Sequence, residues 1–253
     1  MEVKPIYTYP KSMENKVTNY CPGCHHGIVH KLVAELIDDM NLFEKTIIVW
    51  PVGCSVVGYE YFKTDGCIAA HGRAPAMATG IKRANPEKFV ISYQGDGDLA
   101  SIGMAEIVHA AARGEKITVV FINNTNYGMT GGQMAPTTLP GQKTTTSPYG
   151  RDPNLCGWPI RVSELLSTID GAAYIARAAL NKPARITQAK KYLKKAFNTQ
   201  LKGIGFSLVE FISACPVQWH MTPLKSLERI ENELIPYYPL GEFKVKEGVT
   251  DVS

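Results

Sequence analysis

The chain has 253 residues, 45% of them hydrophobic and 20% charged, an ordinary globular composition with material for one large core. No run of about 18 apolar residues occurs, which excludes a membrane-spanning helix. The polar stretch 1–16, with Pro5 and Pro10, has no apolar core of the kind a secretory signal needs. A cytoplasmic protein with no membrane association is expected. The formal net charge of +4 is too small to point to nucleic acid. There are six cysteines: Cys21, Cys24, Cys54, Cys67, Cys156 and Cys215. In a cytosolic setting disulfides are not expected, and metal or redox roles compete with plain burial.

In chain order, residues 27–40 place Ile28, Val29, Leu32, Val33, Leu36, Ile37 and Met40 on one helical stripe. The β-branched run 46–54 reads as a buried strand. Residues 71–83 read as a loop entering a small-residue helix that Asn85-Pro86 ends. A strand follows at 89–93, a helix at 100–113 stopped by Gly114, and a third strand at 117–122. Residues 125–161, rich in Gly, Pro, Thr and Tyr, form a long loop, and loops of that length in compact domains are usually functional. A basic helix at 186–201, with Lys190, Lys191, Lys194 and Lys195, offers a solvated face. A last buried strand spans 206–212, and the tail from Pro236 reads as irregular. Strands alternating with helices predict an α/β fold, a doubly wound and mostly parallel sheet formed as a single domain over 1–253. On such sheets ligands sit beyond the carboxyl ends of the strands.

Two of those strand ends carry chemistry. The strand at 89–93 runs into Gln94-Gly95-Asp96-Gly97-Asp98-Leu99, and the strand at 117–122 into Asn123-Asn124-Thr125-Asn126. One α–β unit separates them, so Asp96 and Asn124 are expected at the same sheet edge. Magnesium takes hard oxygen ligands in near-octahedral geometry. A carboxylate, an amide oxygen and a backbone carbonyl can supply three, and a diphosphate two more. Gly95 and Gly97 let the backbone approach phosphate, and the next helix offers free N–H groups. Gly-Asp-Gly alone is a common turn; paired with Asn-Asn at this spacing it resembles the cofactor motif of thiamine-diphosphate enzymes. That resemblance implies Asp96 and Asn124 as side-chain magnesium ligands and Asn126 as a ligand through its carbonyl.

Further segments resemble one branch of those enzymes. They are Tyr20-Cys-Pro-Gly-Cys24, Val52-Gly-Cys-Ser55, His71-Gly-Arg-Ala74, Tyr127-Gly-Met-Thr130 and Ala214-Cys-Pro216. Together they are similar to the thiamine-diphosphate-binding β subunits of 2-oxoacid:ferredoxin oxidoreductases, over about residues 15–220. The resemblance implies that Cys21, Cys24, Cys54 and Cys215 hold a 4Fe–4S cluster; the cysteine spacing by itself leaves zinc and iron–sulfur open. It also implies cofactor contacts from Gly53, Cys54, Ser55, His71, Gly72, Arg73, Gly95, Asp96, Gly97, Asp98 and Leu99. Tyr127, Gly128, Met129 and Thr130 join them from the loop under the diphosphate and thiazolium ring. Cys67 reads as a buried small hydrophobe, Cys156 has no assigned role, and His25 and His26 read as neighbours of the cysteine pair rather than ligands.

The implied reaction converts a 2-oxoacid and coenzyme A to acyl-CoA and carbon dioxide, with electrons passing to ferredoxin. The glutamate that activates thiamine diphosphate comes from a partner subunit in this family, and no candidate stands here. No catalytic residue is therefore assigned to this chain, which is expected to act only in a hetero-oligomer with α, and in some arrangements γ and δ, subunits in anaerobic metabolism. Val57 and Gly131 occupy places where relatives acting on 2-oxoglutarate often carry lysine, which favours branched-chain 2-oxoacids over 2-oxoglutarate or pyruvate. The competing readings are a non-oxidative thiamine-dependent decarboxylase or synthase without a cluster, and a non-catalytic electron-transfer or zinc-stabilised scaffold.

Overall fold

The computed structural model describes residues 7–249; the start of the polar N-terminal stretch and the last four residues lie outside them. Along the chain, α1 (His26–Asp39) leads to β1 (Thr46–Trp50), a 3-10 turn over Cys54–Glu60, β2 (Asp65–Ile68) and α2 (Ala74–Ala84). Then come β3 (Phe89–Gly95), a π-type turn over Asp98–Ile102, α3 (Met104–Ala112) and β4 (Thr118–Asn123). The long loop contains a small hairpin of β5 (Asn126–Tyr127) and β6 (Gln133–Met134), then α4 (Pro153–Cys156) and α5 (Val162–Ser167). The chain finishes with β7 (Ala172–Ala179), α6 (Pro183–Leu201), β8 (Phe206–Ile212), α7 (Pro223–Arg229), a π-type turn over Ile230–Leu234, α8 (Ile235–Tyr237) and β9 (Gly241–Val245).

The main sheet has the order β2-β1-β3-β4-β8-β7-β9. All its pairings are parallel except that of β9 with β7. This is the expected mostly parallel α/β sheet. Adjacent strand residues feed opposite faces, as the two-residue period requires. Ile91 joins Val29, Val33, Leu36, Leu193 and Phe197 on the side of α1 and α6. Val90 joins Ala78, Ile107, Val119 and Val162 on the side of α2, α3 and α5. Each fully buried Leu, Ile or Phe contributes roughly 1.5–3 kcal/mol, so the two faces supply most of the driving force for folding.

Several local features differ from the sequence reading. The run 46–54 is strand only to Trp50, because Pro51 has no N–H for the ladder and Cys54 opens a 3-10 turn. The helix expected at 100–113 is broken at Gly103, where a Cβ would lie 2.6 Å from the Asp98 carbonyl and 2.8 Å from that of Gly72. The tail read as irregular supplies edge strand β9. The basic face of α6 is partly neutralised, with Lys190 bonding Glu35 at 2.8 Å and Asp39 at 3.2 Å on α1. Among the described residues no helix is long and apolar enough to cross a membrane.

Although poor in regular structure, the long loop is well bonded. Buried Arg151 donates through Nη1 to the carbonyls of Ala135, Pro136 and Thr138 and through Nε to that of Gly157. One guanidinium thus satisfies carbonyls that regular structure would otherwise have to pair. Thr138 Oγ1 then bonds the Thr125 carbonyl at 2.6 Å, which ties the loop to the exit of β4.

Candidate functional site

Strands β3 and β4 are hydrogen-bonded neighbours, with Gly95 opposite Ile122, so the segments leaving them emerge side by side. Asp96 is buried there. Its Oδ1 accepts from Gly97 N at 2.8 Å and its Oδ2 from Thr137 Oγ1 at 2.6 Å. Burial pushes its carboxyl up to about 7, against the lowering effect of the Thr137 hydroxyl and of the backbone N–H groups of Gly97, Thr125 and Asn124. Those last two N–H groups come from the β4 exit, so the two segments do meet. Asn124 Oδ1 accepts from Asn126 N at 3.2 Å. Asn126 Oδ1 is buried without any hydrogen-bond partner, a costly state unless a ligand or cation completes it.

Asp96, Asn124 and Asn126 open onto a cavity of about 120 Å³. Gly53, Cys54 and Ser55 form one wall, Gly95, Gly97 and Asp98 a second, and Tyr127, Gly128, Met129 and Thr130 a third. His71 also faces it. Gly97 has to be glycine, because a Cβ there would lie 2.2 Å from the Tyr127 ring, whose hydroxyl bonds the Gly97 carbonyl at 3.2 Å. Three residues of the sequence-based set are not on the cavity wall. Leu99 is fully buried in the core beside Ala78 and Ile107. Gly72 turns its N–H to Asp98 Oδ1 at 2.8 Å. Arg73 is directed to the Ile102 carbonyl at 2.7 Å and Glu106 Oε1 at 2.9 Å. The cavity gains His26 and Val52, and Thr137 as a partner of Asp96. His26 stood next to a cysteine motif in the sequence; Thr137 gave no signal, being forty-one positions away from Asp96.

A second cavity, about 200 Å³, is lined by Cys21, Cys24, Cys54 and Cys215 together. It shares His26, Cys54, Asn124, Gly128 and Met129 with the first. The Cys21–Cys24 turn is closed by Cys24 N on the Cys21 carbonyl at 3.0 Å. Gly23 sits there at φ 79°, where a Cβ would also strike Pro223 at 2.7 Å. His25 Nδ1 accepts the Ala214 N–H at 3.2 Å, fastening this turn to the segment that bears Cys215. A Cβ on Gly128 would stand 3.2 Å from Cys54 Sγ and 3.6 Å from Cys215 Sγ, so strands β1 and β8 deliver those two thiols to one place. All four cysteines are free thiols. Burial pushes Cys24 and Cys54 up to about 12 and raises Cys215 as well, so in an empty cavity these three stay protonated at neutral pH. Among the described residues no group of three or more His, Cys, Asp or Glu gathers as ligands of a metal ion. Cys67 is half-buried with its thiol 3.2 Å from Met77 Sδ, and Cys156 is exposed.

The family model for the C-terminal, cofactor-binding domain of thiamine pyrophosphate enzymes matches residues 51–211. Ketoisovalerate oxidoreductase subunit VorA of Methanothermobacter thermautotrophicus is 45% identical over 234 residues, 92% of this chain and 49% of that protein. The 2-oxoglutarate synthase subunit KorB of Archaeoglobus fulgidus is 37% identical over 214 residues, 85% of this chain and 76% of that protein. The chain thus spans about half the length of VorA. A solved structure of the 2-oxoglutarate:ferredoxin oxidoreductase from Magnetococcus marinus, with 2-oxoglutarate, coenzyme A and succinyl-CoA bound, superposes with a TM-score of 0.79 at 26% identity. The match covers 97% of this chain and 87% of that one.

Proposed function

This chain belongs to the 2-oxoacid:ferredoxin oxidoreductases, as a subunit built on their thiamine-diphosphate-binding domain, and from that membership we propose that it holds magnesium thiamine diphosphate and a 4Fe–4S cluster in an enzyme that oxidatively decarboxylates a 2-oxoacid to acyl-CoA. The observation that carries this reading is the contact between two cavities. One is lined by Asp96, Asn124 and Asn126, the other by four cysteines, and Cys54 and Gly128 belong to both.

The residues suit these groups. Asp96 in its carboxylate form, the Asn124 amide and the Asn126 carbonyl would hold magnesium, a hard cation that takes oxygen ligands, and a cation would offset the burial that now raises the Asp96 carboxyl. The orphaned Asn126 Oδ1 gives the site a further oxygen in need of a partner. Cys21, Cys24, Cys54 and Cys215 would hold the cluster, which spreads its thiolates around a cube rather than a single point. When bound, thiamine diphosphate supplies the carbanion chemistry that releases carbon dioxide, and the cluster carries single electrons. The protein orients and shields: Tyr127 covers Gly97, Ser55 backs Gly95, and the absence of a side chain at Gly128 keeps the way between the cavities open.

Partner α subunits and ferredoxin complete the enzyme in this reading, and an activating glutamate comes from the partner. For the substrate, Val57 beside the cysteine cavity and the 45% identity to proteins named for ketoisovalerate favour a branched-chain 2-oxoacid. Four converging cysteines favour the oxidative reaction over a cluster-free decarboxylase or synthase.

The test is threefold, on the complex assembled with its partner subunits. Anaerobic purification is expected to yield about four irons and four labile sulfides bound by this chain, and calorimetry to show thiamine-diphosphate binding that requires magnesium. Turnover is expected to be fastest with 2-oxoisovalerate, slower with 2-oxoglutarate and pyruvate, and absent from the isolated chain. A complex with no iron in this chain, or one that binds no thiamine diphosphate, refutes the proposal.

A further inference from the structure

Asp98 lies two residues beyond Asp96, yet its carboxylate is committed to the protein. Its side chain is 1% exposed. Oδ1 lies 2.6 Å from His71 Nδ1 and accepts from Gly72 N at 2.8 Å, with Val52 N at 3.4 Å. Oδ2 accepts from Gln94 Nε2 at 2.6 Å, and Gln94 is itself held by Ser92 Oγ at 3.2 Å. A carboxylate can only accept, so the His71 tautomer that fits this contact is the one with its proton on Nδ1. Nε2 has no hydrogen-bond partner among the described residues, and the ring lines the first cavity beside Tyr127. His71, Asp96, Gly97 and Asp98 line that cavity and not the cysteine cavity.

We propose that Asp98 is a positioning residue that acts through His71, fixing the imidazole so that Nε2 is presented to the diphosphate end of the cofactor. Of the His-Gly-Arg segment only the imidazole reaches the cavity, because Arg73 is spent on Ile102 and Glu106. The polar side chain expected from Arg73 at the diphosphate is therefore supplied by His71. Gly72 makes this possible: at φ 76°, with Gly103 N and Ile102 C 2.7 Å from where a Cβ would be, it lets the chain turn tightly enough to set the ring over Asp98. A histidine oriented by a carboxylate through its other nitrogen has a defined tautomer and direction. This inference rests on thiamine diphosphate occupying the first cavity.

The test is calorimetry on the assembled complex, with magnesium thiamine diphosphate and magnesium pyrophosphate as separate probes. His71→Ala, made at a half-exposed side chain, is expected to weaken both probes about tenfold, the loss of one charge-assisted hydrogen bond. Asp98→Ala is expected to weaken them to a similar degree, and Asp98→Asn, which keeps an acceptor for Nδ1, to recover most of the loss. If Asp98 acts through His71, the double variant H71A/D98A binds no more weakly than H71A. Additive losses, or pyrophosphate binding unchanged in H71A, overturn the proposal while leaving the cofactor reading intact. If the wild-type complex binds neither probe, the cofactor reading falls and this proposal with it. Thermal unfolding of each variant reports whether D98A folds; if it does not, H71A and D98N decide.

Discussion

Replacing Arg177 with methionine strips the positive partner from a carboxylate that has no access to water. Arg177 on β7 and Glu210 on β8 are cross-strand partners, and both side chains are 0% exposed. Glu210 Oε2 accepts from Arg177 Nε at 2.8 Å and from Ser163 Oγ at 2.5 Å, and Oε1 from Asn123 Nδ2 at 2.7 Å. Arg177 also holds Glu164 through Nη2 at 2.5 Å and the Pro239 carbonyl at 3.0 Å. In Arg177→Met the two neutral donors remain but the Glu210 charge is uncompensated. Breaking a buried pair this way costs about 3–5 kcal/mol, a fall in Tm of roughly 6–20 °C for a domain of this size. The double variant R177M/E210Q removes both charges while keeping an amide oxygen for Asn123 Nδ2 and an amide N–H for Ser163 Oγ, and is expected to recover most of that loss, since the penalty of the single variant is the uncompensated buried charge. The effect is expected to reach the site, because Asn123 Oδ1 caps Thr125 N at 3.2 Å and so shapes the turn bearing Asn124. The assay is thermal unfolding of the assembled complex with and without magnesium thiamine diphosphate. A fall of less than about 3 °C in R177M, or a double variant less stable than the single, refutes the view that Glu210 is a charged, paired group.

Gly97→Ala drives a methyl into the Tyr127 ring and is expected to cut thiamine-diphosphate affinity by more than about tenfold by calorimetry, since overpacking costs 1–3 kcal/mol. Cys54→Ser is expected to lower the iron and sulfide content of this chain while leaving its thermal stability in the iron-free form near wild type. His30 is buried among Tyr20, Trp50, Tyr61, Phe62, Tyr93 and His26, and burial holds its pKa well below the ordinary value. The unfolded chain then binds more protons than the fold as pH drops below about 6.5, so stability falls with acidification in that window. His30→Phe is expected to flatten that slope in Tm measured against pH. Arg151→Lys keeps the charge but not the fork that bonds five carbonyls, and is expected to make 135–157 markedly faster in amide exchange than in the wild type.

The amino-acid order alone determined the alternation of strands and helices, because burial on one helical stripe or on both faces of a strand leaves a period that can be read locally. The segments at 29–37, 89–95, 118–123 and 206–212 carry that period plainly. It also placed Asp96 and Asn124 at one edge, since a single α–β unit between parallel strands permits little else. Strand β7 was not legible: Ala-Ala-Tyr-Ile-Ala-Arg-Ala-Ala has few β-branched residues, and its arginine looks like a surface residue until Glu210 is seen opposite. Nor was β9, a short edge strand after two prolines. What depended on tertiary structure was direction and company. Gly-Arg at 72–73 resembles a cofactor segment, but Arg73 points to Ile102 and Glu106, and Leu99 sits in the core. Thr137, Gln94 and Gln218 reach the site through hydrogen bonds to Asp96, Asp98 and the Gly128 carbonyl that no local spacing announces. A hydrophobic period is a property of neighbours in the chain, whereas the partner of a buried polar group is whichever donor or acceptor the folded chain brings within about 3 Å, and only the packed sheet and loop decide that.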